Sequence, residues 1–264
     1  MTDPAARQLE GRMFLYERPE LLSLASHATL GLSPAPRPYG FAESIRIAPL
    51  VTAEFASAQK DFPVVFSDGE IPAPVAVLGV VEDVNLYVDE NGHWEQRRYV
   101  PSYIRCHPIC LAEGPNEQHA VVIDRGAATV SDTPAEPFFD GSKLSASMQS
   151  RVDFSSAYAA EKRKTISFCR RLKELDLFVG QQVTHRRREQ DGEPTVGAYV
   201  AVNVEKLGKL DSTTLGSLHA DGSLAAIYAH VFSLENWNRL FDRRVKRQAA
   251  GREVAGQRGL QNTP

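Results

Sequence analysis

The chain has 264 residues, 42% of them hydrophobic and 24% charged, with a formal net charge of -3 and a pI near 6.2. That length and apolar content suffice for a substantial core. The balanced charge supplies no global field for drawing in nucleic acid or an anionic membrane. Cys106, Cys110 and Cys169 form an odd, sparse set, which excludes a secreted disulfide framework.

The N-terminus carries Asp3, Arg7, Glu10 and Arg12 and has no continuous apolar core, so it does not read as a secretory leader. Residues 1–11 read as disordered. No run of about 18 apolar residues exists, so no transmembrane helix is expected. These features point to the cytoplasm, with leaderless export left open.

Pro34, Pro36 and Pro38 break any helix before residue 40. Residues 42–48 alternate weakly and predict a strand. Pro49 suits the first turn of a helix running to about Asp61. Val64–Phe66, Val75–Val81, Asn85–Val88, Ile109–Leu111 and Ala120–Asp124 read as strands. Ser67–Glu70 and Asp89–Gly92 supply turns between them.

Residues 126–145 are polar and turn-rich, and read as a linker or a long surface loop. Val152, Tyr158, Thr165, Phe168, Leu172 and Leu175 recur at helical spacing and predict a helix over 147–175. Leu177–His185 and Thr195–Val204 read as a hairpin turned at Gln190–Glu193. Asp211 or Ser212 caps a helix ending near His219. A last helix is expected over Ser223–Phe241, with Trp237 as its anchor. Residues 243–264 read as a basic, flexible tail whose removal costs little. The expected architecture is α+β: a central, largely antiparallel sheet packed by about three main helices, in a single domain over 12–242.

Several blocks carry a family resemblance. The run Phe41 to Phe66 holds Pro49-Leu50, Glu54-Phe55 and Phe62-Pro63-Val64-Val65-Phe66 in order. Val75–Gly79 precedes Asn85–Asp89 as a central hairpin. Tyr99–Arg105 is followed by Pro108, Glu136–Asp140 comes next, and Leu224–Leu234 reads LAAIYAHVFSL. Together these blocks resemble the bacterial SapC family over residues 16–242. The sequence departs from the pattern at Ile109, where Phe is favoured, and at Cys106-His107.

The resemblance implies a role beside surface-layer or outer-membrane-associated systems. It points to a non-catalytic binding or accessory protein whose partner is a protein or peptide. The alternative it implies is an enzyme or enzyme subunit in peptide or amino-acid modification, working with oxygenase- or halogenase-like partners. His27, Glu54, Arg105 and His230 lie in the family-like blocks and are the candidate ligand-binding residues. Histidine and carboxylate suit acid–base work, and arginine suits a carboxylate or phosphate. The plainer alternative is that Glu54 pairs with Arg105 and that His230 is a satisfied core histidine.

No catalytic residue, metal site or cofactor is expected. Cys106-His107-x-x-Cys110 lacks both the spacing and the four ligands of a zinc site. Asp89–Gly92 lacks the distal ligands of a calcium loop. Arg186–Arg188 and Arg243–Arg247 lack interleaved aromatics, so nucleic acid is not an expected partner. No glycine-rich phosphate loop or nucleophile elbow occurs in usable context. The sequence carries no signal for oligomeric state.

Overall fold

The computed structural model describes residues 13–80, 83–113, 119–185 and 195–261. The expected disorder over 1–11, the turn at Gln190–Glu193 and the Arg186–Arg188 cluster lie outside them. In chain order the strands are β1 (Pro19–Leu21), β2 (Gly31–Leu32), β3 (Ile47–Pro49), β4 (Val64–Phe66), β5 (Pro74–Val77), β6 (Ile109–Glu113), β7 (His119–Asp124), β8 (Val130–Ser131), β9 (Glu136–Pro137), β10 (Phe139–Asp140), β11 (Lys143–Leu144), β12 (Phe178–His185) and β13 (Thr195–Val202). The helices are α1 (Leu24–His27), α2 (Phe55–Ala58), α3 (Ser102–Cys106), α4 (Ala146–Glu174), α5 (Val204–Leu207), α6 (Ser212–Ala220), α7 (Ser223–Ser233) and α8 (Asn236–Gln261). The fold is α+β with antiparallel sheets. No described helix is long and apolar enough to cross a membrane.

The chain builds two compact units that interleave in sequence. The first takes Met1–Ala42, Val88–Glu95 and Ser102–Arg163; the second takes Glu43–Tyr87, Gln96–Pro101 and Lys164–Pro264. In the first, the antiparallel order is β1-β7-β6, with β6 and β7 in register from Ile109↔Ile123 to Glu113↔His119. A smaller sheet has the order β8-β2-β9. Leu30, Leu32, Ile109, Ile123, Phe138 and Met148 form the core between them.

Residues 126–145, expected as a linker or a long surface loop, belong to this unit. They carry β8 to β11, and Phe138 is fully buried. Gly31 sits where its neighbours leave no room: a Cβ there would lie 2.1 Å from the carbonyl oxygen of Glu136. Because the obstacle is backbone, Gly31→Ala is expected to cost about 1–3 kcal/mol by overpacking, measured as a lower urea midpoint.

In the second unit the sheet order is β12-β13-β4-β5-β3, antiparallel throughout. β12 and β13 pair over eight residues, from Phe178↔Val202 to His185↔Thr195. α7 packs on β4 and β13. Phe66 fills the core edge-on to Phe55, Phe178 and His230. α4 leads into β12 through a left-handed residue, Asp176 (φ 53), and Leu177 N–H returns to the Leu172 carbonyl at 3.0 Å. That closure satisfies carbonyls at the helix end and delivers Leu177, fully buried, to the start of the strand.

Four local expectations need correction. Pro49 ends strand β3 and starts no helix. β3 is a sheet edge, where a missing N–H is harmless. The helix after it is only a 3-10 turn, Thr52–Glu54, followed by α2. Residues 85–88 form no strand: the Asn85 side chain accepts the Tyr87 N–H at 2.9 Å and turns the chain. Strands β6 and β7 pair with β1 in a three-stranded sheet and are not members of the five-stranded one.

The expected last helix is two helices, and the second continues to Gln261 through the segment read as a tail. Among its described residues Leu240 and Phe241 are the buried apolar ones, while Trp237 is half-buried. Beyond them, the Arg243 guanidinium lies 4.4 Å over the Tyr87 ring, and Arg247 donates to the Asn85 carbonyl at 3.0 Å. The anchoring role therefore moves from Trp237 to its neighbours. Phe241→Ala is expected to cost about 3–5 kcal/mol and Trp237→Ala clearly less, compared by chemical denaturation.

Candidate functional site

The four residues singled out in the sequence divide between the units. His27 and Arg105 fall in the first; Glu54 and His230 fall in the second. His27 ends α1, and its Nδ1 accepts the Ser23 N–H at 3.1 Å. The proton therefore sits on Nε2, which faces the Glu20 carboxylate at 3.0 Å. The ring is buried and stitches its own short helix. Arg105 in α3 donates to Ser102 Oγ at 2.8 Å and lies 4.9 Å over the Phe154 ring.

Glu54 is buried, at 4% exposure. Its Oε2 accepts the Val51 N–H at 3.0 Å, which caps the 3-10 turn, and its Oε1 accepts the Tyr99 hydroxyl at 2.8 Å. His230 has no exposed surface. Nδ1–H donates to the Val64 carbonyl at 2.7 Å, and Nε2 accepts the Val202 N–H at 3.1 Å. The ring thus spans from β4 to β13, which share one register pair, Phe66↔Val200. Burial pushes the His230 pKa down to about 4, against the opposing pull of the Val64 bond.

A pairing that sequence reading missed lies in the first unit. His107 Nε2 meets Asp124 Oδ2 at 3.2 Å. The same carboxylate accepts backbone N–H groups of Glu17 (3.0 Å), Arg18 (2.8 Å) and Gly126 (3.0 Å). Burial alone would raise the Asp124 pKa. The bonds from His107 and the three amides outweigh it and hold the group down at about 2. Phe41 stacks on the His107 ring at 3.8 Å, and Tyr16 meets its edge. The available signal was Asp124-Arg125-Gly126, a turn in which an aspartate caps the following amides.

Cys110 and Cys169 are poor nucleophiles. Burial pushes the Cys110 thiol up to about 11 and the Cys169 thiol up to about 12. Among the described residues no three His, Cys, Asp or Glu side chains gather as a metal site.

The second unit opens a cleft of about 730 Å³ over its sheet. Val65, Val75 and Val77 line one part of it, and Gly180, Val183, Gly197 and Ala198 another. Tyr199 and Trp237 join them, ring centroids 5.4 Å apart. The charged lining residues are already engaged: Arg46 pairs with Asp83 at 3.0 Å, and Asp68 accepts the Gly69 N–H at 2.9 Å. None of the four sequence candidates lines this cleft. A Cβ built on Gly180 would meet nothing within 4 Å, so the strand is open above that residue.

The buried acids and His230 thus bond to backbone groups, and the cleft of the second unit is lined by apolar and aromatic side chains. The SapC family model matches residues 22–240, and the chain belongs to that family. No curated protein and no solved structure matches it.

Proposed function

We propose that this SapC-family chain is a non-catalytic binding or accessory protein and that the cleft of the second unit takes its partner, a protein or peptide. The supporting observation is the cleft lining. It offers aliphatic side chains, glycines and two aromatic rings, and its two charged groups already hold partners. Such a surface suits recognition by burial of apolar area. His27, Glu54 and His230 act through the fold in this reading, and Arg105 stays a candidate contact. Membership of the family supports placing the protein beside a bacterial surface-layer or outer-membrane-associated system.

The second reading is an enzyme or enzyme subunit in peptide or amino-acid modification. His107 favours it, as an imidazole oriented by a buried carboxylate. Capture from the native host separates the two. The immobilised chain is expected to retain a partner stoichiometrically, to lose it in Tyr199→Ala and Trp237→Ala variants, and to return it with unchanged intact mass. A partner recovered with altered mass, with the alteration lost in His107→Ala, would establish the enzyme reading instead.

A further inference from the structure

The outer edge of β12 gives the cleft a more specific partner. β12 is the terminal strand of the five-stranded sheet. It runs eight residues, FVGQQVTH, without Lys, Arg, Asp, Glu or Pro, and its register with β13 has no bulge. Natural sheets guard long edges with those very devices, because an open edge presents a row of unpaired N–H and C=O groups. Among the described residues none pairs with this edge. Gly180, Gln181 and Gln182 are exposed there, and all three also line the cleft.

We propose that β12 receives an extended peptide segment as a sixth strand, with alternate side chains of that segment entering the cleft. The proposal rests on the binding role of the cleft argued above. The backbone ladder supplies affinity, and the cleft supplies choice among side chains. Gln181 and Val183 share the face of Tyr199, and Val183, Tyr199 and Trp237 provide apolar contact there for cross-strand side chains. The segment is therefore extended, uncharged at its centre, free of proline at its paired residues, and apolar or aromatic at alternate positions.

Area argues for a peptide over a second copy of the chain. Eight residues span about 27 Å, and a sheet layer is about 10 Å thick. Two β12 edges meeting would bury on the order of 550 Å² in total, against about 1,200 Å² for the smaller stable interfaces. A peptide that also fills the cleft adds apolar area that edge-to-edge pairing leaves unused.

The probe is a phage-displayed library of random twelve-residue peptides, panned against the full 264-residue chain. Enriched peptides are resynthesised and N-methylated one residue at a time. Strand addition predicts a loss of about tenfold or more in affinity at every second residue, where an N–H faces β12, and little change between. Gln181→Glu, which places a charge on the cleft face opposite Tyr199, is expected to weaken the same peptides by at least about tenfold with its unfolding midpoint unchanged.

A flat methylation profile together with a full Gln181→Glu effect would overturn strand addition and leave the cleft as a binding site. Peptides indifferent to both changes would remove both readings. No enrichment over an uncoated surface overturns strand addition. So does a dimer at micromolar concentration that a Gln182→Lys substitution dissolves, which would assign the edge to a second copy.

Discussion

His230→Ala is expected to lower stability by about 3–5 kcal/mol, which for a chain of this size is about 10 °C in the thermal midpoint. The ring's two bonds run to the backbone of β4 and β13. Removing it strands the Val202 N–H in the interior and leaves the Val64 carbonyl with only the Ser233 hydroxyl, at 3.3 Å. An orphaned buried backbone group costs about 1–3 kcal/mol. The lost contact with Phe66 leaves a cavity as well.

The same ring gives stability a definite pH dependence. Its folded pKa, about 4, lies below the ordinary 6.5. The unfolded chain therefore binds the extra proton first. The stabilisation is complete above pH 6.5 and is lost as pH falls through 4, on the order of 3 kcal/mol in all. Urea midpoints measured across that range should show a slope in the wild type that His230→Ala lacks. An equal slope in both would remove the structural role assigned to the ring.

Asp124→Ala carries the second large effect. It unpartners three buried-facing amides, of Glu17, Arg18 and Gly126, and deprives His107 of its carboxylate. A loss of about 3–5 kcal/mol follows from breaking a buried charged network on one side. Asp124→Asn keeps an acceptor oxygen and should lose markedly less. The folded pKa of about 2 lies below the ordinary carboxylate value, so this contribution is present above pH 3.8 and lost as pH falls toward 2. That window lies below the His230 window, so one acid titration of unfolding separates the two groups. Asp124→Ala unfolding at the wild-type midpoint would mean that the amides find water instead.

The long periodic elements were legible in the sequence. The helix expected over 147–175 is α4, the hairpin is β12 and β13, and the Asp211 cap accepts the Thr214 N–H at 2.9 Å. Each rests on local signals, namely periodicity, β-branched runs and a capping side chain. The failures share a different cause. Pro49 fits a helix start and an edge strand equally well, and only the pairing of β3 with β5 decides between them. Residues 126–145 look like a loop because their strands are two residues long and Phe138 is their one fully buried large side chain, set among polar and turn-forming residues.

The interleaving of the two units depends on pairings remote in sequence, such as Pro19 with Asp124, which no local pattern encodes. For the site, the family-like blocks led to Glu54 and His230, and the structure supplies the bonds each makes. The cleft was invisible because its lining comes from β3, β4, β5, β12, β13 and α8, each of which reads as ordinary core or surface when taken alone.

Amide hydrogen exchange of the full chain, with and without the partner captured from its native host, tests the binding reading most directly. New protection is expected over residues 178–185 and 197–200 and around Trp237, with the partner's mass unchanged. Protection confined to the surroundings of His107 and Asp124, with the cleft strands exchanging as before, would contradict it.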